Sequence, residues 1–87
     1  MWQDKVKKVF GENPTIFKDG SLFYDKHNYI LNIYEDHCRI YYSFRESNIF
    51  AKEYYLYHDD IDSLLEDLLD LVTILDNINN KIEEYLS

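Results

Sequence analysis

From residue 61 onward, apolar side chains recur at three- and four-residue intervals for about four heptads: Ile61, Leu64, Leu68, Leu71, Leu75, Ile78, Ile82 and Tyr85. That period belongs to an amphipathic helix, and Leu65, Val72 and Leu86 widen the stripe to the breadth of a helix lying on a sheet. The pattern predicts a helix over 59–87. Asp59 or Asp60 caps it, where a carboxylate complements the positive end of the helix dipole. The opposite side carries Asp59, Asp62, Glu66 and Asp70, then Thr73 and Asn77, then Glu84. Unbroken, about 28 residues at ~1.5 Å each make a rod of roughly 42 Å. Asn79 falls on the apolar side, so a kink or break over 77–80 is the alternative to a continuous rod. The eight heptad positions also suit a coiled-coil seam with a second copy. Asp60 and Asp67 would then sit on the rims without complementary bases, so packing against the chain's own sheet is the better fate for the stripe.

Upstream the period changes to two. Residues 29–34 set Tyr29, Leu31 and Ile33 against Ile30, Asn32 and Tyr34, and residues 38–44 set Cys38, Ile40, Tyr42 and Phe44 against Arg39, Tyr41 and Ser43. A third run, Asn48–Tyr57, is rich in Tyr and Phe. Polar turns at Glu35–His37 and Arg45–Asn48 separate these runs. Before them, Thr15–Lys18 and Ser21–Tyr24 flank Asp19-Gly20, the dipeptide of a type I′ hairpin turn. Residues 2–10 show a short helical pattern, with Trp2, Val6, Val9 and Phe10 on one side and Lys5, Lys7 and Lys8 facing out; Gly11 to Pro14 ends it. The expected fold is α+β: an antiparallel meander of four to five strands, a short N-terminal helix, and a long acidic amphipathic C-terminal helix packed on one face. The expected core is Ile16, Leu22, Leu31, Ile33, Ile40, Phe44, Ile61, Leu64, Leu68, Leu71 and Leu75.

Charge adds what periodicity does not show. Residues 59–87 hold nine acids against the single base Lys81, while the acids and bases of residues 1–58 cancel, so the whole net charge of −8 lies in the last third. The 87 residues make one domain: a neutral, sheet-containing body over 1–58 and the helix over 59–87. Nine Tyr, five Phe and one Trp exclude a disordered acidic tail. The lone Cys38 cannot form an internal disulfide and suits a reducing compartment. The N-terminal stretch lacks the apolar run of a signal peptide, and no segment approaches the ~20 apolar residues of a membrane span. A cytoplasmic protein is expected, without membrane association.

Candidate chemistry is sparse. His27, His37, Cys38 and His58 show no zinc-ligand spacing, and His37-Cys38 adjacent in a strand point to opposite faces. No motif with a catalytic mechanism is present, so no enzymatic activity, cofactor or metal is expected. An acidic chain is a poor nucleic-acid binder, which removes base stacking as the role of the tyrosines. Tyr24, Tyr29, Tyr34, Tyr41, Tyr42, Tyr54, Tyr55 and Tyr57 exceed what a small core holds, so some belong to a contact surface. A solvated acidic face that keeps a small, apolar protein in solution is the plain reading of the helix. The concentration of all net charge in one element favours a basic partner instead.

Asn, Ile, Lys, Tyr and Asp are abundant and Ala51 is the single alanine, a bias of AT-rich genomes such as those of low-GC bacteria and their phages. With this composition, its size and the acids of DDIDSLLEDLLDL (residues 59–71), the chain resembles the small acidic inhibitors that phages make against host nucleases and CRISPR effectors, several of which mimic DNA. The resemblance covers mainly residues 59–87. It implies an anti-CRISPR-like inhibitor of the host cytoplasm that binds the nucleic-acid channel of a nuclease or CRISPR effector by charge mimicry. Asp59, Asp62, Glu66, Asp70 and Glu84 are the candidate contacts, aided by Tyr54 and Tyr57. The exposed acids recur about every 5–6 Å along the axis, nearer to the ~3.4 Å phosphate spacing of one strand than to the ~1.7 Å of a duplex. An immunity protein against a cognate toxin nuclease, which has a similar profile, is one alternative; a homodimerisation or protein-interaction module is another. The expected state is a monomer or weak homodimer.

Overall fold

The computed structural model describes residues 1–42 and 52–86. Seven elements follow one another: α1 (Trp2–Phe10), β1 (Thr15–Ile16), β2 (Leu22–Asp25), β3 (Tyr29–Ile33), β4 (His37–Tyr42), β5 (Lys52–Tyr57) and α2 (Ile61–Leu86). The strands form one antiparallel meander in the order β1-β2-β3-β4-β5. The register sets Leu22 against Ile33, Leu31 against Ile40, Ile33 against Cys38, and Cys38 against Leu56, so these side chains share one face. Both helices cover that face. The expected α+β architecture is the observed one.

One apolar cluster joins the two helices to the sheet. Val6 and Phe10 of α1 and Ile61, Leu64, Leu65, Leu68, Val72 and Leu75 of α2 close over Leu22, Tyr24, Leu31, Ile33, Cys38 and Ile40. Eight of the expected core residues are buried, and Leu71 is half-buried at the margin. Ile16 is not core. It faces the same side as Leu22, its register partner, but lies on the two-residue edge strand beyond the reach of either helix and is 60% exposed. Phe44, the turn expected at Arg45–Asn48 and the start of the third aromatic run lie outside the described residues.

The connections are set by local chemistry. At the end of α1 the Lys26 ammonium donates to the Phe10 carbonyl at 2.7 Å and the Tyr24 hydroxyl to the Gly11 carbonyl at 2.7 Å, which fastens the helix terminus to β2. Gly11 sits at φ 128°, a conformation that glycine alone adopts without strain. The first hairpin corrects the type I′ expectation. Among the described residues only Gly11, Gly20 and His27 have positive φ, so Asp19 cannot supply the first of the two left-handed positions. Instead the Gly20 N–H donates to the Phe17 carbonyl and the Phe17 N–H to the Ser21 carbonyl, each at 3.0 Å, giving a three-residue loop closed by a left-handed Gly20. The Asp19 carboxylate accepts from both the N–H and the hydroxyl of Ser21, and Asn32 Nδ2 donates to that hydroxyl at 3.1 Å. Asn32 is thereby buried on the sheet's other face with its donor satisfied.

Helix α2 is continuous through 77–80, so the break does not occur, and its 26 residues span about 39 Å. The buried stripe, however, is Ile61, Leu64, Leu65, Leu68, Val72, Leu75 and Asn79 rather than the heptad series. A straight helix drifts about 20° per heptad relative to a 3.5-residue repeat. Ile78 and Tyr85 therefore rotate off the sheet and are 40% and 89% exposed. Asn79 takes the buried place. Its Nδ2 donates to Glu83 at 3.2 Å, but its Oδ1 has no hydrogen-bond partner among the described residues. An unsatisfied buried acceptor costs about 1–3 kcal/mol. Asn79→Leu should therefore raise stability by about 1 kcal/mol, read as a higher urea midpoint at unchanged slope. Among the described residues no helix is long and apolar enough to cross a membrane.

Candidate partner-binding surface

The acids of α2 are placed by its cap. Asp60 is the N-cap: its Oδ1 accepts from the Ser63 N–H at 2.8 Å and its carbonyl from the Leu64 N–H at 3.1 Å. With that start, Asp62, Glu66 and Asp70 fall at four-residue intervals, about 6 Å apart along the axis, and all three are exposed. Asp62 is engaged within the chain, because Lys5 Nζ of α1 lies 3.0 Å from both of its carboxylate oxygens. Both side chains of that pair are more than half exposed, so the pair contributes at most about 1 kcal/mol. Glu66 and Asp70 have no ion-pair partner among the described residues. Asp59, exposed just ahead of the cap, and Glu84, exposed near the far end, complete the acidic flank. Thr73 and Asn77, also exposed, lie between.

The tyrosines divide between the two faces of the sheet. Tyr54 pairs with Ile40 and belongs to the helix-covered side, where its ring stacks on Tyr42 at 5.7 Å. Tyr57 pairs with His37 on the opposite side. There the rings form a ladder: Tyr34 on His37 at 4.2 Å, His37 on Tyr57 at 5.4 Å, and Tyr57 beside Tyr55 at 6.2 Å. The acids thus sit together on one helix flank, while Tyr54 lies at the sheet edge and Tyr57 lies across the sheet from them. Sequence reasoning did not find the ladder. Its one legible trace was the two-residue spacing of Tyr55 and Tyr57; the crossing to His37 depends on strand register.

The remaining candidate groups have ordinary roles. Cys38 is fully buried, and burial pushes its thiol up to about 12, so the nucleophilic thiolate is suppressed at neutral pH. Native protein should resist alkylation at pH 8, whereas protein unfolded in guanidinium should label completely; mass spectrometry distinguishes the two. His37 points away from Cys38, and its Nδ1 lies 2.6 Å from Asp36. His58 pairs with Asp67 of α2. Among the described residues no three His, Cys, Asp or Glu side chains converge as a metal ion would require.

Among the described residues three carboxylates are held below their usual range: Asp19 by the hydroxyl and N–H of Ser21, Asp36 by the His37 ring, and Asp60 chiefly by the Ser63 N–H. A folded pKa below the unfolded one means stability that is full above about pH 4 and lost as pH falls through the folded values. Thermal melts should therefore drop in acid. Asp60→Asn, which still caps, should flatten part of that slope, and Asp60→Ala should lower the melting temperature at neutral pH.

No protein-family model matches the chain, and searches of curated proteins and of solved structures also found no match.

Proposed function

We propose that the protein is a stoichiometric inhibitor that binds the basic nucleic-acid channel of a CRISPR effector or other nuclease through the acidic flank of α2. The observation that carries this reading is the row Asp62, Glu66 and Asp70 on one exposed flank, with Glu66 and Asp70 free of ion-pair partners among the described residues. A carboxylate already paired within its own chain gains little from a target lysine; an unpaired one gains attraction at long range and guides encounter. Asp59 and Glu84 extend the row. Tyr57, on the face of the sheet away from the helices, lies apart from this row, so the proposed contact centres on the acids.

The same electrostatics serve an immunity protein against a basic toxin nuclease, and the identity of the captured target separates the two. A tagged pull-down from a low-GC bacterial lysate expressing CRISPR effectors, eluted along a salt gradient, tests the proposal. Release of a nuclease at moderate salt, with its activity restored on elution, supports it. Capture of salt-resistant partners only, or of none, overturns it, because contacts between exposed charges are screened at high ionic strength.

A further inference from the structure

The two edges of the sheet differ. At one, β1 follows Pro14 and has two residues, too few to recruit another strand. At the other, β5 runs for six residues with no described strand on its outer side. Natural edges of this length are usually shortened, charged or covered. This one is charged only at its start, by Lys52 and Glu53, and beyond them carries Tyr54, Tyr55 and Tyr57, each about half exposed or more. Among the described residues nothing covers the flank of α2 beside it. Leu71 and Leu75 line a groove of about 280 Å³ together with Tyr42, Tyr54 and Leu56. At helical spacing from Leu71, Ile74 and Ile78 continue that flank, and both are exposed. Its one acid is Asp67, which His58 engages, while Asp62, Glu66 and Asp70 lie on the flank turned toward α1 and solvent.

We propose that this edge and flank form a twofold interface between two copies of the chain, with β5 pairing antiparallel to β5 of the second copy. The pattern of β5 is self-complementary. A twofold axis perpendicular to the sheet preserves its faces, so residues of like parity must oppose one another. Centred on Tyr55, the axis sets Tyr55 against its own equivalent and Glu53 against Tyr57 of the second copy. On the helix-covered face Tyr54 meets Leu56 of the second copy, bringing the two apolar grooves together. No like charges oppose each other. Glu53 already accepts from the Tyr55 hydroxyl at 3.3 Å within one chain, so a tyrosine opposite it is compatible chemistry. Lys52 falls opposite His58 of the second copy, beside the Asp67 that pairs with it. The acidic flanks point away from the axis, so the charge of −8 on each copy does not meet itself.

The strip is small. Six residues span about 20 Å, and with the adjoining helix flank the buried patch is on the order of 400 Å² per copy, below the ~800 Å² of a standard stable interface. The dimer is accordingly weak and forms toward the upper micromolar range. It involves none of the acids proposed to bind the target, so it stands or falls independently of that function.

Disulfide trapping tests it, because the buried Cys38 leaves an introduced surface thiol as the reactive one. On the axis, equivalent positions 55 lie about 4.5–5.5 Å apart, within disulfide range. Positions 53 lie four residues out of step, about 14 Å apart. Tyr55→Cys should therefore oxidise to a covalent dimer at least about tenfold faster than Glu53→Cys, both variants first being shown to melt like the wild type. Wild-type protein should sediment as a monomer at about 10 μM and shift toward dimer by about 1 mM, as a sub-standard interface implies. Tyr55→Lys should stay monomeric throughout. Wild-type protein that remains monomeric at the highest concentration overturns the proposal, and so does equal trapping at positions 53 and 55.

Discussion

Leu68→Ala should cost about 2–5 kcal/mol, the largest stability loss expected of any single change considered for this chain. Leu68 is fully buried at the middle of α2, where the helix crosses the sheet. Truncation removes its transfer free energy and leaves a void that rigid neighbours on both layers cannot fill. A chain of 87 residues has a total stability of roughly 4–13 kcal/mol, so the loss approaches the whole at the lower bound. At about 4–8 °C per kcal/mol for a domain of this size, the melting temperature should fall by at least about 8 °C. Ile78→Ala is the informative control. A heptad reading ranks Ile78 with Leu68; the structure places it 40% exposed, and its loss should stay well under that of Leu68. Circular dichroism melts of the two variants side by side check the difference. Equal losses would contradict the observed rotation of the helix.

The second large effect concerns binding. On the proposed function, reversing Asp62, Glu66 and Asp70 together to lysine should abolish inhibition of the target while lowering the melt by only several degrees, since all three side chains are exposed and only the solvent-exposed pair of Asp62 with Lys5 is lost. Each reversal turns an attraction to a basic channel into a repulsion, and like charges brought together across an interface cost several kcal/mol. The wild-type association rate should also fall steeply with ionic strength, a dependence the triple variant should lack. Undiminished inhibition by the triple variant would remove charge mimicry as the mechanism. Lys5→Ala provides a graded companion. It frees Asp62 from its internal partner and should speed association modestly, in the direction opposite to the reversal.

Some of this architecture was legible from residue order because it depends on contacts between near neighbours. The cap at Asp60 needs only the N–H of Ser63, three residues on. The inward faces of β3 and β4 follow from strict alternation at Tyr29, Leu31 and Ile33 and at Cys38 and Ile40, because a strand repeats every two residues. The acidic row of α2 follows likewise from four-residue spacing on a helix. The first hairpin lay at the limit of this reach. Asp19-Gly20 marked the turn, but its type goes with the Ser21 N–H and hydroxyl that hold the Asp19 carboxylate, and with Asn32, which donates to that hydroxyl.

What residue order by itself determined, then, is the sequence of elements, the meander they make and the gathering of charge on one helix, each encoded within a few residues along the chain. The tertiary structure alone decided which arc of α2 meets the sheet, because a helix of 3.6 residues per turn drifts away from a seven-residue repeat and exposes Ile78 and Tyr85 while burying Asn79. It also decided that Ile16 faces solvent, that Lys5 neutralises Asp62, that Tyr54 rather than Tyr57 takes the helix-covered face, and that β5 ends the sheet among the described residues. These depend on pairs 14 to 57 residues apart or on where the sheet ends, and local spacing carries no information about either.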